Sequence, residues 1–368
     1  MNRKGFAVGI ILLFVGTGII PSTAQDNEKP SLLTSVGKWW YVGGDGPGNY
    51  TKIQNAVNAS SDGDTVFVYD DSSPYIGVVL VWKSLTIQGE NKNTTVIDSG
   101  GFIISVSNVT ISSFTIQNSE TGVYIIGYGQ PTCYNMINNN IFLNVSIGVN
   151  VYSDDWPYDN TNATKYGDNF ISNNVIVYTK TLGITIVNGH HNVVIGNDVS
   201  QDERYRNPDI VGLGIGVEGS FNNISYNNVH DNYMGIHLGG NGNVIYRNTI
   251  TNNYNTGTHV INPSSTNVIQ NNFVDNQKNV RIWMFGVPRS FVSQLTFNEN
   301  YWGSARTFPY PIGGFYCYNI ELIGYLLGLL FGQELAIKII NMLVEYYPNF
   351  VRFDWHPAQE PYDIPGVS

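Results

Sequence analysis

The chain runs to 368 residues, 42% hydrophobic and 12% charged, with 46 asparagines and a formal net charge of −10. This apolar and aromatic content excludes a disordered chain, and an acidic balance without a basic run excludes a phosphate-backbone partner, so no nucleic acid is expected. Charged residues reach about half the usual roughly 25%, so surface solubility rests on amides and hydroxyls.

In chain order, Arg3 and Lys4 precede an uncharged, mostly apolar run over 5–20, and Ser22-Thr23-Ala24 sets small residues before Gln25. This is the pattern of an export signal cut after Ala24. A helix over that run would span about 24 Å, short of a ~30 Å hydrocarbon core. We read 1–24 as a signal peptide and 25–39 as a linker. A secreted, extracellular or cell-surface protein follows, with no stable membrane span once the signal is gone. Seven Asn-x-Ser/Thr sequons fit export, and the two cysteines, Cys133 and Cys317, allow at most one disulfide.

Residues 51–59 carry Ile53, Ala56 and Val57 at helical spacing, and Asp62-Gly63-Asp64 then turns the chain into a strand over 65–69. Next comes a repeat. Six segments of the form Asn-x-apolar-x-x-Asn-x-apolar begin at Asn135, Asn169, Asn192, Asn222, Asn243 and Asn267, at intervals of 34, 23, 30, 21 and 24 residues. Ile137, Ile171, Val194, Ile224, Ile245 and Ile269 fill the first apolar slot. The second asparagine falls at Asn140, Asn174, Asn197, Asn227, Asn248 and Asn272, and Asn300 sits in a degenerate closing copy. A second element, Gly-apolar-x-apolar, recurs at Gly122, Gly148, Gly183, Gly214, Gly235 and Gly257, mostly some 13 residues after a segment start.

That alternation is strand spacing, and units this short leave no room for crossover helices. The pattern predicts an all-β, single-domain, right-handed parallel β-helix over 40–305, with the second asparagines stacked as a structural ladder and the isoleucines and valines pointing inward. Open sheet edges at both ends need covers. The 51–59 helix is expected at the front. A C-terminal capping segment, 306–368, is expected at the back, with a helix at about 320–347, because the longest uncharged run there, 322–333, is too short to cross a membrane.

The opening Gly44-Asp-Gly-Pro-Gly-Asn, Asp62-Gly-Asp-Thr-Val, Lys83-Ser-Leu-Thr-Ile-Gln-Gly, the Asn-x-Ile-x-x-Asn rungs and Asn300-Tyr-Trp together resemble exported β-helix repeat proteins. These are the NosD-like periplasmic copper-associated family and the carbohydrate-binding and sugar-hydrolysis β-helix module. The likeness covers about 40–302, and the tail from Phe353-Asp-Trp-His resembles those closing archaeal surface proteins. It implies the pectin-lyase-like coil, a polysaccharide or cell-surface glycan as partner, and, for the NosD side, an association with copper. It fixes no activity, since one coil hosts many.

Aligning the glycine-led strands puts Tyr124, Asn150, Thr185, Gly216, His237, His259 and Arg281 in one outward column. Tyr152, Glu218 and Trp283 fall in the next. His237, His259 and Arg281 on successive rungs, near Glu218 and Trp283, are the candidate ligand-binding residues: arginine pairs a uronate carboxylate and the aromatic ring stacks on a sugar. Two insertions add Asp154, Asp155, Trp156, Tyr158 and Asp202, Glu203, Arg204, Tyr205, Arg206. Paired acids beside aromatics suit glycoside hydrolysis and also decorate ordinary surface loops. A polygalacturonase pattern fails: Gly189-His190-His191 lacks its second glycine, and Arg281-Ile-Trp283 lacks the lysine. No three acids stack as lyase calcium sites require. His237 and His259 could share a metal but find no assured third ligand. The expectation is a non-catalytic glycan-binding or scaffold protein with no cofactor and no metal. A polysaccharide lyase, hydrolase or epimerase is one alternative and a copper-associated protein the other.

Overall fold

The structure, a computed structural model, describes residues 37–127, 132–153, 167–205, 212–285, 294–317 and 350–365, with helical positions at 335, 338 and 339. The 1–24 signal, most of the 25–39 linker and all but three residues of the expected 320–347 helix lie outside this set. Among the described residues no helix is long and apolar enough to cross a membrane.

Each coil contributes three strands. The first joins an 11-stranded parallel sheet running from Trp39–Val42 to Thr296–Asn298. The second and third fall into an 18-stranded sheet as two parallel rows. The shorter row includes Ile141–Leu143, Val175–Thr179, Asp198–Gln201 and Asn228–His230. The longer includes Ile147–Ser153, Leu182–Val187, Leu213–Glu218, Met234–Asn241, Thr256–Ser264 and Val280–Phe285. Alternation sends Ile137, Ile171, Val194, Ile224 and Ile245 inward at zero exposure, in one core cluster with Phe114, Phe142 and Phe273.

Three corners bend each coil, and most are a left-handed residue followed by a buried one. Asn139, Asn173, Tyr226, Arg247, Gln270 and Glu299 hold φ between 51° and 57°. Behind them Asn140, Asn174, Asn197, Asn227, Asn248, Asn271 and Asn300 form a continuous ladder. Each Nδ2 donates to the next Oδ1 at 2.9–3.2 Å, and that Oδ1 also accepts the previous coil's backbone N–H. A second row runs Asn169, Asn192, Asn222, Asn243 and a third Asn232, Asn253, Asn276.

One coil reads a residue out of step with the sequence expectation. The ladder position is held by Asn271, not Asn272, and the inward residue is Val268, not Ile269. The reason is Thr266, which takes the slot of Asn243 behind the left-handed Ser265, so the motif matches one residue late, at Asn267. Asn272 instead lies in a strand, opposite Thr249.

The repeated glycines also acquire a cause. A Cβ on Gly148, Gly183, Gly214 or Gly235 would stand 2.4–2.7 Å from the carbonyl oxygen of the equivalent glycine one coil on. Adjacent coils approach too closely for any side chain there.

At the front, the short helix Ile53–Ala59 buries Ile53, Ala56 and Val57. Gln54 lays its amide along the strand Tyr75–Val81 as a neighbouring strand would, donating to Leu80 O (3.1 Å) and accepting from Leu80 N (2.8 Å). Lys83 Nζ meets the helix's last carbonyls at Val57, Asn58 and Ser60. At the back, parallel pairing continues past residue 305. Tyr310–Cys317 pairs parallel with Val280–Phe285 and antiparallel with Phe350–Asp354, so the expected boundary at 305 falls inside the sheet. Asp354, fully buried, ends the ladder by accepting from Asn300 N and Nδ2 (2.9 and 3.0 Å) and Trp302 Nε1 (3.1 Å). Trp302 is stacked between Phe273 and Tyr310.

Candidate functional site

Parallel register aligns Tyr124, Asn150, Thr185, Gly216, His237, His259 and Arg281 strand by strand on the longer row. The neighbouring column reads Tyr152, Val187, Glu218, Gly239, Ile261 and Trp283. His237, His259, Arg281 and Trp283 are therefore brought together, with Glu218 diagonal to His237. Tyr152 is not: it lies five strands from Trp283, about 24 Å at ~4.8 Å per strand.

These side chains are not the solvated row that alternation alone predicts. His259 is 2% exposed. The Trp283 ring meets it edge-on at 4.3 Å between centroids, the His237 ring packs on its other side at 5.1 Å, and the Arg281 guanidinium lies 5.9 Å from the Trp283 ring. Outward-pointing groups have closed over one another, since flat rings at one-strand spacing reach van der Waals contact. Neither ring nitrogen of His259 has a hydrogen-bond partner. Burial first, then His237 and the Arg281 charge, hold the His259 pKa well below the usual imidazole value. Burial lowers that of His237 as well, against a partial lift from Glu218. At neutral pH the group is one guanidinium beside two neutral imidazoles.

A copper or zinc centre does not fit these residues. Two rings packed face to edge offer no third donor, and among the described residues no group of three His, Cys, Asp or Glu side chains is arranged to hold a metal.

Asp154, Asp155, Trp156, Tyr158 and Arg206 lie outside the described residues. Glu203–Tyr205 forms a single 3-10 turn, and buried Asp202 pairs with Arg204 through Nε (3.0 Å to each oxygen) and Nη2.

Sequence reasoning passed over His230. Its Nδ1 meets Asp231 at 2.7 Å and its Nε2 meets Asp198 at 3.0 Å. The hydrogen bond to Asp198, then that to Asp231, outweigh burial and raise its pKa above 6.5. A raised folded-state pKa stabilises fully below the unfolded value and ceases to do so as pH climbs through the folded one. The unfolding free energy of the wild type minus that of His230→Gln should thus be constant below about pH 6.5 and shrink above it. Urea titrations at a series of pH values check this, and a gap that widens with pH contradicts it. The signal in the sequence was Asp198 and His230-Asp231 one coil apart, with Ser200 opposite His230 and Asp198 on the diagonal two residues before it.

A family model for the periplasmic copper-binding protein NosD matches residues 158–307. With the parallel coils above, that decides the class. The chain is a right-handed parallel β-helix repeat protein. Among solved structures, this β-helix protein is similar to the A-module of the mannuronan C-5 epimerase AlgE4 of Azotobacter vinelandii, at 13% identity over 67% of this chain and 73% of that one, with a TM-score of 0.43. It is also similar to a lacto-N-biosidase from Eubacterium ramulus, at 14% identity over 72% and 67%, with a TM-score of 0.42. None of the curated proteins matches the sequence.

Proposed function

We propose that this β-helix protein is an exported, non-catalytic scaffold that binds an acidic glycan on the face carrying His237, His259 and Arg281. His259 carries the reading. A desolvated imidazole with both nitrogens unpartnered costs on the order of 1–3 kcal/mol, and an apolar residue in the same place would avoid that penalty. Beside it stand a guanidinium, the natural partner of a carboxylate, and an indole able to stack on a pyranose. Export is supported by the 1–24 pattern and by the periplasmic description of the matched family. The helix Ile53–Ala59 and the 306–368 segment act as end covers, supported by the Gln54, Lys83 and Asp354 bonds.

The test is calorimetric titration with oligomers of mannuronate and galacturonate. Arg281→Ala should weaken binding ten- to hundredfold, the loss of one charge-assisted hydrogen bond worth roughly 1.5–3 kcal/mol. Affinity should stay flat as pH falls through 6.5, the ordinary imidazole value, and rise only at more acidic pH, because both imidazoles are held neutral through their usual range. Unchanged affinity in the variant refutes the site. Release of reducing ends or unsaturated uronates would replace a binder by an enzyme.

A further inference from the structure

The shorter strand row carries a cavity of about 780 Å³ on its outward side, apart from the Arg281 column. Its floor is Leu143 and Val177, residues that alternate outward from buried Phe142 and Ile176. The 3-10 turn Glu203–Tyr205, which follows the strand Asp198–Gln201, adds Glu203 and Arg204 to the lining and is locked down by the Asp202–Arg204 pair and by Gln201 Nε2 donating to Tyr205 O at 3.1 Å. His230 and Asp231 line it from the next strand of the row.

Tyr178 makes this more than a fold in the surface. The corner where it sits needs a left-handed residue in every coil that bends there. Gly77, Ser99, Asn118, Asn144, Asp231, Asn252 and Asp275 supply one, all small and all tolerant of positive φ. Tyr178 alone is bulky, at φ 56° and 58% exposed, where the pairing of Val175–Thr179 with the next strand slips by a residue. Tyr134, Phe221 and Tyr226 hold the same φ at other corners, so what sets Tyr178 apart is its ring beside the cavity at a corner that is otherwise small, not its backbone. Core packing does not account for it, because most of the ring faces water.

We infer that this cavity binds a neutral pyranose unit of a glycan. The apolar floor and the Tyr178 face suit the C–H side of a sugar ring. Asn144, Glu203, Arg204 and Asp231 offer both donors and acceptors for its hydroxyls, and with Arg204 paired to Asp202 the carboxylates of Glu203 and Asp231 disfavour an anionic sugar, leaving a neutral one. The inference does not depend on the Arg281 face, so the two can fail separately.

Cellohexaose, maltohexaose and mannohexaose are the probes, titrated calorimetrically into the full chain. At least one should bind saturably, and equally well to the wild type and to Arg281→Ala. Tyr178→Gly and Glu203→Gln should each weaken that binding tenfold or more. Glycine accepts the corner's φ, so the first variant keeps its fold, and the second leaves the backbone untouched. No saturable binding of any of the three overturns the inference. So does binding that survives Tyr178→Gly, or binding that vanishes in Arg281→Ala.

Discussion

Gly235→Ala is expected to destabilise the protein by about 4 kcal/mol or more. The added Cβ would sit 2.5 Å from Gly257 O and 2.9 Å from Asn253 Nδ2. Neither neighbour can retreat. The Gly257 carbonyl belongs to a strand held at parallel-sheet spacing on both sides, and Asn253 is bonded to Asn276, Asn232 and Val229 O within its own ladder. Gly239→Ala is the matched control four residues on in the same strand. A Cβ there meets nothing nearer than 3.9 Å and the φ is ordinary, so the change should be neutral or mildly stabilising. Urea unfolding of the two variants measures the contrast, and equal midpoints would mean that coil spacing adjusts to admit a methyl group.

Asn227→Ala should cost about 3 kcal/mol. Its Oδ1 accepts from both Asn197 N and Asn197 Nδ2 at 3.0 Å, and its Nδ2 donates to Asn248 Oδ1 and Val194 O at 2.9 Å. Truncation strands a buried backbone N–H and a buried carbonyl, each worth on the order of 1–3 kcal/mol. Asn93→Ala, at an exposed turn, should fall within about 0.5 kcal/mol. Asn255, half-buried and donating to Tyr233 OH at 3.1 Å, is not the free turn residue that its sequence neighbourhood suggests. Similar losses for Asn227→Ala and Asn93→Ala would remove the ladder from the account of stability.

The coil was legible because its demands recur. Each turn must present an inward branched residue and a self-pairing amide at one place, so Ile137 to Ile245 and Asn140 to Asn248 announce the fold. Legibility failed where a residue of another kind met the same demand. Thr266 stands in for an asparagine and displaced the reading by one residue. The third amide row, Asn232, Asn253 and Asn276, went unseen, because its corner belongs to a strand row that bears no repeating motif of its own. For the candidate site, register was readable and burial was not. Spacing places His237, His259 and Arg281 on adjacent strands, but whether Trp283 folds over His259 depends on rotamers that no periodicity encodes. The Asp198–His230–Asp231 contact and the left-handed Tyr178 likewise become visible only when strands are laid side by side.

The ladder ending at Asp354 has a direction. Every rung gives a proton toward the C-terminal side and receives one from the N-terminal side, so seven amide dipoles point the same way and a carboxylate terminates their positive end. Any interior rung presents the same two complementary surfaces as any other. Within this ladder a whole coil can therefore be duplicated or excised between Asn174 and Asn271 without orphaning a rung and with no change at the terminator, whereas a fraction of a coil cannot. The molecule's length is quantised in units of one turn, and the lineage of such chains should vary by whole turns.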